Sequence, residues 1–142
     1  MQKVISFEEL AKLEQIAMAT AALPFGQRLL AFMDYRKWNP HRFTLRTNLD
    51  AVYYSRLKNG RRNKLDMRTA VAIFIGLRLP LPIAESLLQS AGMAFSRSKK
   101  DQAYRYLVMM MNGADIDECN AFLGQQGVPL LGSIARDERL SA

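Results

Sequence analysis

The 142-residue sequence predicts an all-α protein, and three observations carry that expectation. Apolar residues recur at helical spacing along most of the chain. Residues that cap helix N-termini (Ser6, Asn39, Asp50, Asp115) stand directly ahead of those periodic stretches. Gly, Asn-Gly and Pro close them.

Ser6-Phe7-Glu8-Glu9 reads as a capping box, with the Ser hydroxyl taking an orphan amide and Glu9 reaching back. Phe7, Leu10, Leu13 and Ala17 then form the apolar face of a first helix, 7–22. A second, 25–37, sets Phe25, Leu29, Phe32 and Met33 on one side. Asn39-Pro40 opens a short third helix, 40–47, because proline at the first position lacks only an amide that would be unpaired anyway. Asn48 suits the left-handed conformation of a sharp turn. Asp50 caps a fourth helix, 51–58, which Asn59-Gly60 ends.

The apolar stretch 66–77 is β-branched enough for a buried strand, but its length and flanking signals favour a buried helix. Pro80 and Pro82 bracket a turn before a helix 83–91, ended by Gly92. Next comes a helix 99–111 with Tyr104, Leu107, Val108 and Met111 inward. Most of the Met109-Met110-Met111 run is expected in the core, and the rest forms an adaptable partner face. Asp115 or Asp117 caps a last helix to about 126, before Gly127-Val128-Pro129. The expected organisation is an N-terminal helix (1–24), a central domain (25–92), a C-terminal helical extension (93–132) and a frayed charged tail (133–142).

Composition narrows the function classes. Twenty Lys and Arg against 13 Asp and Glu give a net charge of +7. The excess is concentrated: positions 25–68 hold eleven Lys and Arg against three Asp, a local +8 that leaves the remainder at −1. Such a segment is the footprint of a polyanionic partner. One Cys and one His exclude a disulfide framework and a Cys/His zinc site within one chain. His41 and Cys119 lie far apart without a nucleophile signature, and Asp115, Asp117 and Glu118 sit at a helix start, where acids favour the dipole. No catalytic residue, metal site or cofactor is expected, and the chain reads as non-enzymatic. No apolar run is long enough to span a membrane. Acids stand in the N-terminal stretch where a signal peptide would be apolar, so a cytoplasmic location is expected.

Short helix, tight turn, short helix and Asn-Gly together read as a helix-turn-helix. Phe43, Thr44, Leu49, Tyr54 and Leu57 face inward, and Ala51, Val52, Ser55 and Arg56 face outward. Tyr53 covers the core edge, and Trp38 packs at the helix junction. The stretch from Trp38 to Gly92 resembles the lambda-repressor-like helix-turn-helix family of the xenobiotic-response-element type. It is most similar to a bacterial branch with a C-terminal helical extension. The matching elements are Asn59-Gly60-Arg61-Arg62, Leu77-Arg78-Leu79 and Ala91-Gly92, with Asn120 and Gly127-Val128-Pro129-Leu130 in the extension.

The resemblance implies a DNA-binding transcriptional regulator that inserts 51–58 into the major groove of double-stranded DNA. Arg56 then reads guanine with two parallel donors, Ser55 assists, and Ala51 and Val52 touch thymine methyl groups. Arg46, Lys58, Asn59, Arg61, Arg62 and Lys64 hold phosphates, and the Asn59-Gly60 corner offers backbone amides. A homodimer through the C-terminal helices or the first helix would supply two half-sites. The alternative is a protein-interaction module, adaptor or antitoxin-like, on a helix-turn-helix scaffold that no longer reads DNA. Pro40, where the family commonly has a phosphate-binding Gln, and the apolar Ala51 and Val52 favour it.

Overall fold

The computed structural model describes residues 5–60 and 65–132; Arg61, Arg62 and Lys64 and the 133–142 tail lie outside the described residues. The fold is all-α. Eight helices run in order among the described residues: α1 (Phe7–Ala19), α2 (Phe25–Tyr35), α3 (Pro40–Thr47), α4 (Ala51–Lys58), α5 (Met67–Leu77), α6 (Leu81–Ser90), α7 (Lys99–Met110) and α8 (Ile116–Gln125).

α5 is the hub. Eight of its eleven residues are buried, and it packs against α3, α7 and α8, while α1, α2 and α6 pack on one another. A single apolar cluster runs from Leu13 to Leu131. Gly76 lets α5 approach α3: a Cβ there would stand 3.0 Å from the Arg46 carbonyl and 3.0 Å from the Trp38 indole.

The first helix departs from expectation at both ends. Ser6 accepts from the Glu9 amide (3.1 Å), but the Glu9 carboxylate does not reach back. It accepts instead from Tyr35 Oη (2.6 Å) and pairs with Arg36, tying α1 to α2. Burial alone would raise the Glu9 pKa, but the hydrogen bonds from Tyr35 and Arg36 and the charges of Arg36 and Lys12 hold it below the ordinary carboxylate value. This tie is therefore complete above the usual carboxylate pKa and is lost as pH falls through the lowered one. Phe7 does not join the core; it is 80% exposed, and Ile5 and Leu10 pack there instead. The helix stops at Ala19 rather than near 22, and side chains bond to carbonyls of its last turn. Thr20 Oγ1 donates to Ile16 O (2.8 Å) and Arg28 Nη2 to Ala17 O (2.9 Å).

α2 ends at Tyr35, two residues early. Lys37 adopts a left-handed conformation (φ 58°), and the Trp38 amide returns to Met33 O (3.0 Å). α5 ends the same way at Arg78 (φ 56°), with the Leu79 amide on Phe74 O (3.1 Å). Glycine is the usual occupant of such positions, and another residue there costs about 1–2 kcal/mol. α6 begins at Leu81, so Pro82 sits inside its first turn, where no amide partner is forfeited, and not in the preceding loop.

After α8 the chain doubles back. Segment 128–132 lies across the turn between α3 and α4. Asn48 Nδ2 and Asn120 Nδ2 donate to Leu131 O (3.2 and 3.0 Å), and the Leu131 amide donates to Asn120 Oδ1 (2.7 Å). Tyr104 Oη donates to Pro129 O (2.8 Å), and Arg68 donates to Leu130 O and Gly132 O.

Candidate nucleic-acid interface

The α3–turn–α4 unit is built from short-range chemistry. Asn39 Oδ1 accepts from the Arg42 amide (2.8 Å), and Pro40 stands at the first position of α3. Asn48 turns the chain at φ 61°, and Thr47 Oγ1 accepts from the Leu49 amide (3.2 Å). Asp50 Oδ1 then accepts from the Val52 amide (2.9 Å) and starts α4.

Phe43, Thr44, Leu49, Tyr54 and Leu57 are all buried. Phe43 stands between two aromatic partners, Trp38 edge-on at 6.0 Å and Tyr54 at 5.7 Å between ring centroids. Tyr54 Oη donates to Trp38 O (3.3 Å), so α4 is fixed by its inner face. Trp38 and Tyr53 are half-buried against the core.

The other side of α4 is uncovered. Val52 is 41% exposed, Ser55 and Arg56 are exposed, and Ala51 is half-buried. Lys58 is exposed with its ammonium 5.9 Å from the Tyr54 ring centroid, which places a positive charge at the end of the helix. The Asn59-Gly60 corner corrects the expectation of backbone amides for a ligand. The Asn59 amide donates to Ser55 O (2.9 Å) and the Gly60 amide to Leu57 O (3.1 Å), so closing the helix consumes both. The Asn59 side chain remains exposed.

The basic stretch is not one uniform surface. Arg28 is buried at 3% exposure and donates to Ala17 O (2.9 Å), Thr20 Oγ1 (3.4 Å) and Ser86 O (3.5 Å). Arg36 is paired with Glu9, and Arg68 holds the C-terminal segment. Arg46 is exposed on α3 and lines a pocket with Arg36, Arg42 and Arg78, not with Arg56 and Lys58. Arg78 escaped sequence reasoning because it lies outside the dense basic stretch. Its position in Leu77-Arg78-Leu79, where a helix stops without a glycine, is the signal that marks it.

Elsewhere, Asp115 caps α8 through a complete capping box with Glu118, and His41 is exposed. Tyr106, Met109 and Met110 are exposed, because α7 buries the face carrying Tyr104, Leu107 and Val108. This overturns the core placement of the methionine run. Tyr106 stacks on Phe122 at 5.0 Å. Cys119 is buried, and burial, reinforced by Asp115 and Glu118, pushes its thiol up to about 12. The native protein is therefore expected to resist alkylation by iodoacetamide at about pH 8, and to react once unfolded in denaturant. Rapid modification of the folded chain would contradict the burial.

Among the described residues, no helix is long and apolar enough to cross a membrane. No protein-family model, curated protein or solved structure matches the chain.

Proposed function

We propose that this chain is a DNA-binding regulator of the helix-turn-helix type, with a lambda-repressor-like core, that lays α4 in the major groove of double-stranded DNA. The observation that carries this reading is the two-sidedness of α4. Tyr54 and Leu57 anchor one side, while Val52, Ser55 and Arg56 stand bare on the other. A helix with its side chains is about 10–12 Å across, and a major groove about 12 Å wide admits it.

Arg56 offers two donors to guanine, Ser55 a hydroxyl, and Val52 and Ala51 a surface for a thymine methyl group. Lys58, the Asn59 side chain and Arg46 hold phosphates, joined by Arg61, Arg62 and Lys64 from the segment that follows α4. A second copy, covering exposed apolar side chains such as Met109 and Met110 of α7 or Met18 of α1, would present a second α4 to a neighbouring half-site.

The test is a mobility-shift titration on random and selected duplexes at two salt concentrations. Affinity is expected to fall with salt at a log–log slope of about −0.9 per neutralised phosphate. Arg56→Ala should remove about 1–3 kcal/mol of discrimination between duplexes and leave random-duplex binding nearly intact. Lys58→Glu should weaken both alike. The apolar Val52 at the centre of the exposed face favours one rival, a protein-interaction module. Absence of retention at moderate salt, with a co-purifying protein lost on Val52→Asp, would establish that rival instead.

A further inference from the structure

Four arginines from three parts of the chain converge on one depression to which α4 contributes no residue. Arg36 follows α2, Arg42 and Arg46 lie one turn apart on α3, and Arg78 follows α5. With Trp38 and Leu45 they line a pocket of about 370 Å³. No carboxylate lines it. The only acid paired with any of the four among the described residues is Glu9, on Arg36.

Helix-end carbonyls hold two of the guanidinium groups: Arg36 Nε donates to Leu77 O (3.0 Å) and Arg42 Nη1 to Lys37 O (3.3 Å). The side chains of Arg46 and Arg78 make no hydrogen bond or ion pair among the described residues. Arg42, Arg46 and Arg78, which have no ion pair among the described residues, leave the cavity positive even with Arg36 paired to Glu9, and such a cavity concentrates anions. Arg78 occupies a left-handed position that glycine fills without strain, as Lys37 does at the end of α2, and its side chain borders the cavity.

We infer that this pocket binds a small polyvalent oxyanion of the diphosphate or triphosphate type. Donors arriving from the ends of α2 and α5 and from the side of α3 suit tetrahedral phosphoryl groups better than the planar fork of one carboxylate. A cavity of this volume is larger than one phosphate needs and has room for a chain of two or three among Arg42, Arg46 and Arg78. Trp38 and Leu45 add an apolar wall. The inference is independent of DNA binding, and only Arg46 belongs to both surfaces.

The test is calorimetric titration of the full chain with inorganic tripolyphosphate, and in parallel with a nucleoside triphosphate, at about 150 mM salt. Saturable one-to-one binding is expected. Arg78→Gly should weaken it about tenfold or more. That variant relieves the left-handed strain, so thermal unfolding should find it at least as stable as the parent. Arg42→Gln should weaken binding similarly, and Arg56→Ala should leave it unchanged. Equal affinity for the two ligands assigns recognition to the phosphate chain; tighter nucleotide binding adds the Trp38 wall. The inference is overturned if no saturable binding occurs, if citrate binds as tightly, if Arg78→Gly binds normally, or if Arg56→Ala weakens binding as much as Arg78→Gly. Duplex affinity measured on Arg78→Gly keeps this outcome separate from that of the DNA reading.

Discussion

Replacing Phe43 with alanine is expected to destabilise the protein by about 3–5 kcal/mol, among the largest effects of any single truncation. The ring is fully buried and stands between Trp38 at 6.0 Å and Tyr54 at 5.7 Å. Its removal leaves a cavity at the junction of α2, α3 and α4, three helices that are each too short to hold their geometry without packing. Urea unfolding should show the loss as a lower midpoint with an unchanged slope. The melting temperature should fall by roughly 6–20 °C. A loss below about 1 kcal/mol would mean that the α3–α4 unit is not held through this ring.

Gly132→Ala is expected to detach the C-terminal segment from the turn between α3 and α4. A Cβ at this position would stand 2.2 Å from Asn48 O and 2.5 Å from Asn48 Cβ, and the backbone φ is +76°. Neither contact is with the far end of a flexible side chain, so the segment itself must lift. It would give up the hydrogen bonds from Asn48 to Leu131 O and from Arg68 to Gly132 O. Overpacking and left-handed strain together cost about 2–5 kcal/mol, unless release of the segment costs less. Hydrogen exchange distinguishes the two. Release accelerates exchange of the Leu131 amide, now bonded to Asn120 Oδ1 at 2.7 Å, before the core opens. Gly92→Ala is the control, with a similar φ (+72°) but no atom within 4 Å of the added Cβ. Equal effects of the two substitutions would contradict the steric account.

The α3–turn–α4 unit was legible in the sequence because its determinants are local. Asn39-Pro40, Asn48, Asp50 and Asn59-Gly60 each set a boundary through their own backbone chemistry, and both helices begin and end where those residues place them. The buried face of five residues followed from reading the two short helices and their turn as a helix-turn-helix. What escaped depends on partners far away in the chain. Nothing near Arg28 signals that its guanidinium turns inward toward Ser86, nor near Arg68 that it reaches Leu130 and Gly132. Charge counting therefore treated buried and committed arginines as free surface.

Glu9 illustrates the same limit. Its spacing from Ser6 fits a capping box, yet the phenol at the end of α2 and the guanidinium just after it offer its carboxylate more than a backbone amide does. The end of α2 was hidden because lysine occupies a left-handed position where glycine would have announced the stop, whereas α5 ends at Leu77, where its apolar stretch does. Gly127-Val128-Pro129-Leu130 marked the end of α8, but where the segment leads is set by Asn48, Arg68 and Asn120.

The most direct test of the central claim, that the outer side of α4 meets DNA, is a backbone-amide NMR titration of the full chain with duplex. The largest shifts are expected at residues 50–60, centred on Val52, Ser55 and Arg56, and Arg56→Ala should remove their dependence on duplex sequence. Unmoved α4 amides at saturating duplex, with shifts confined to α7 and α8, would contradict that claim.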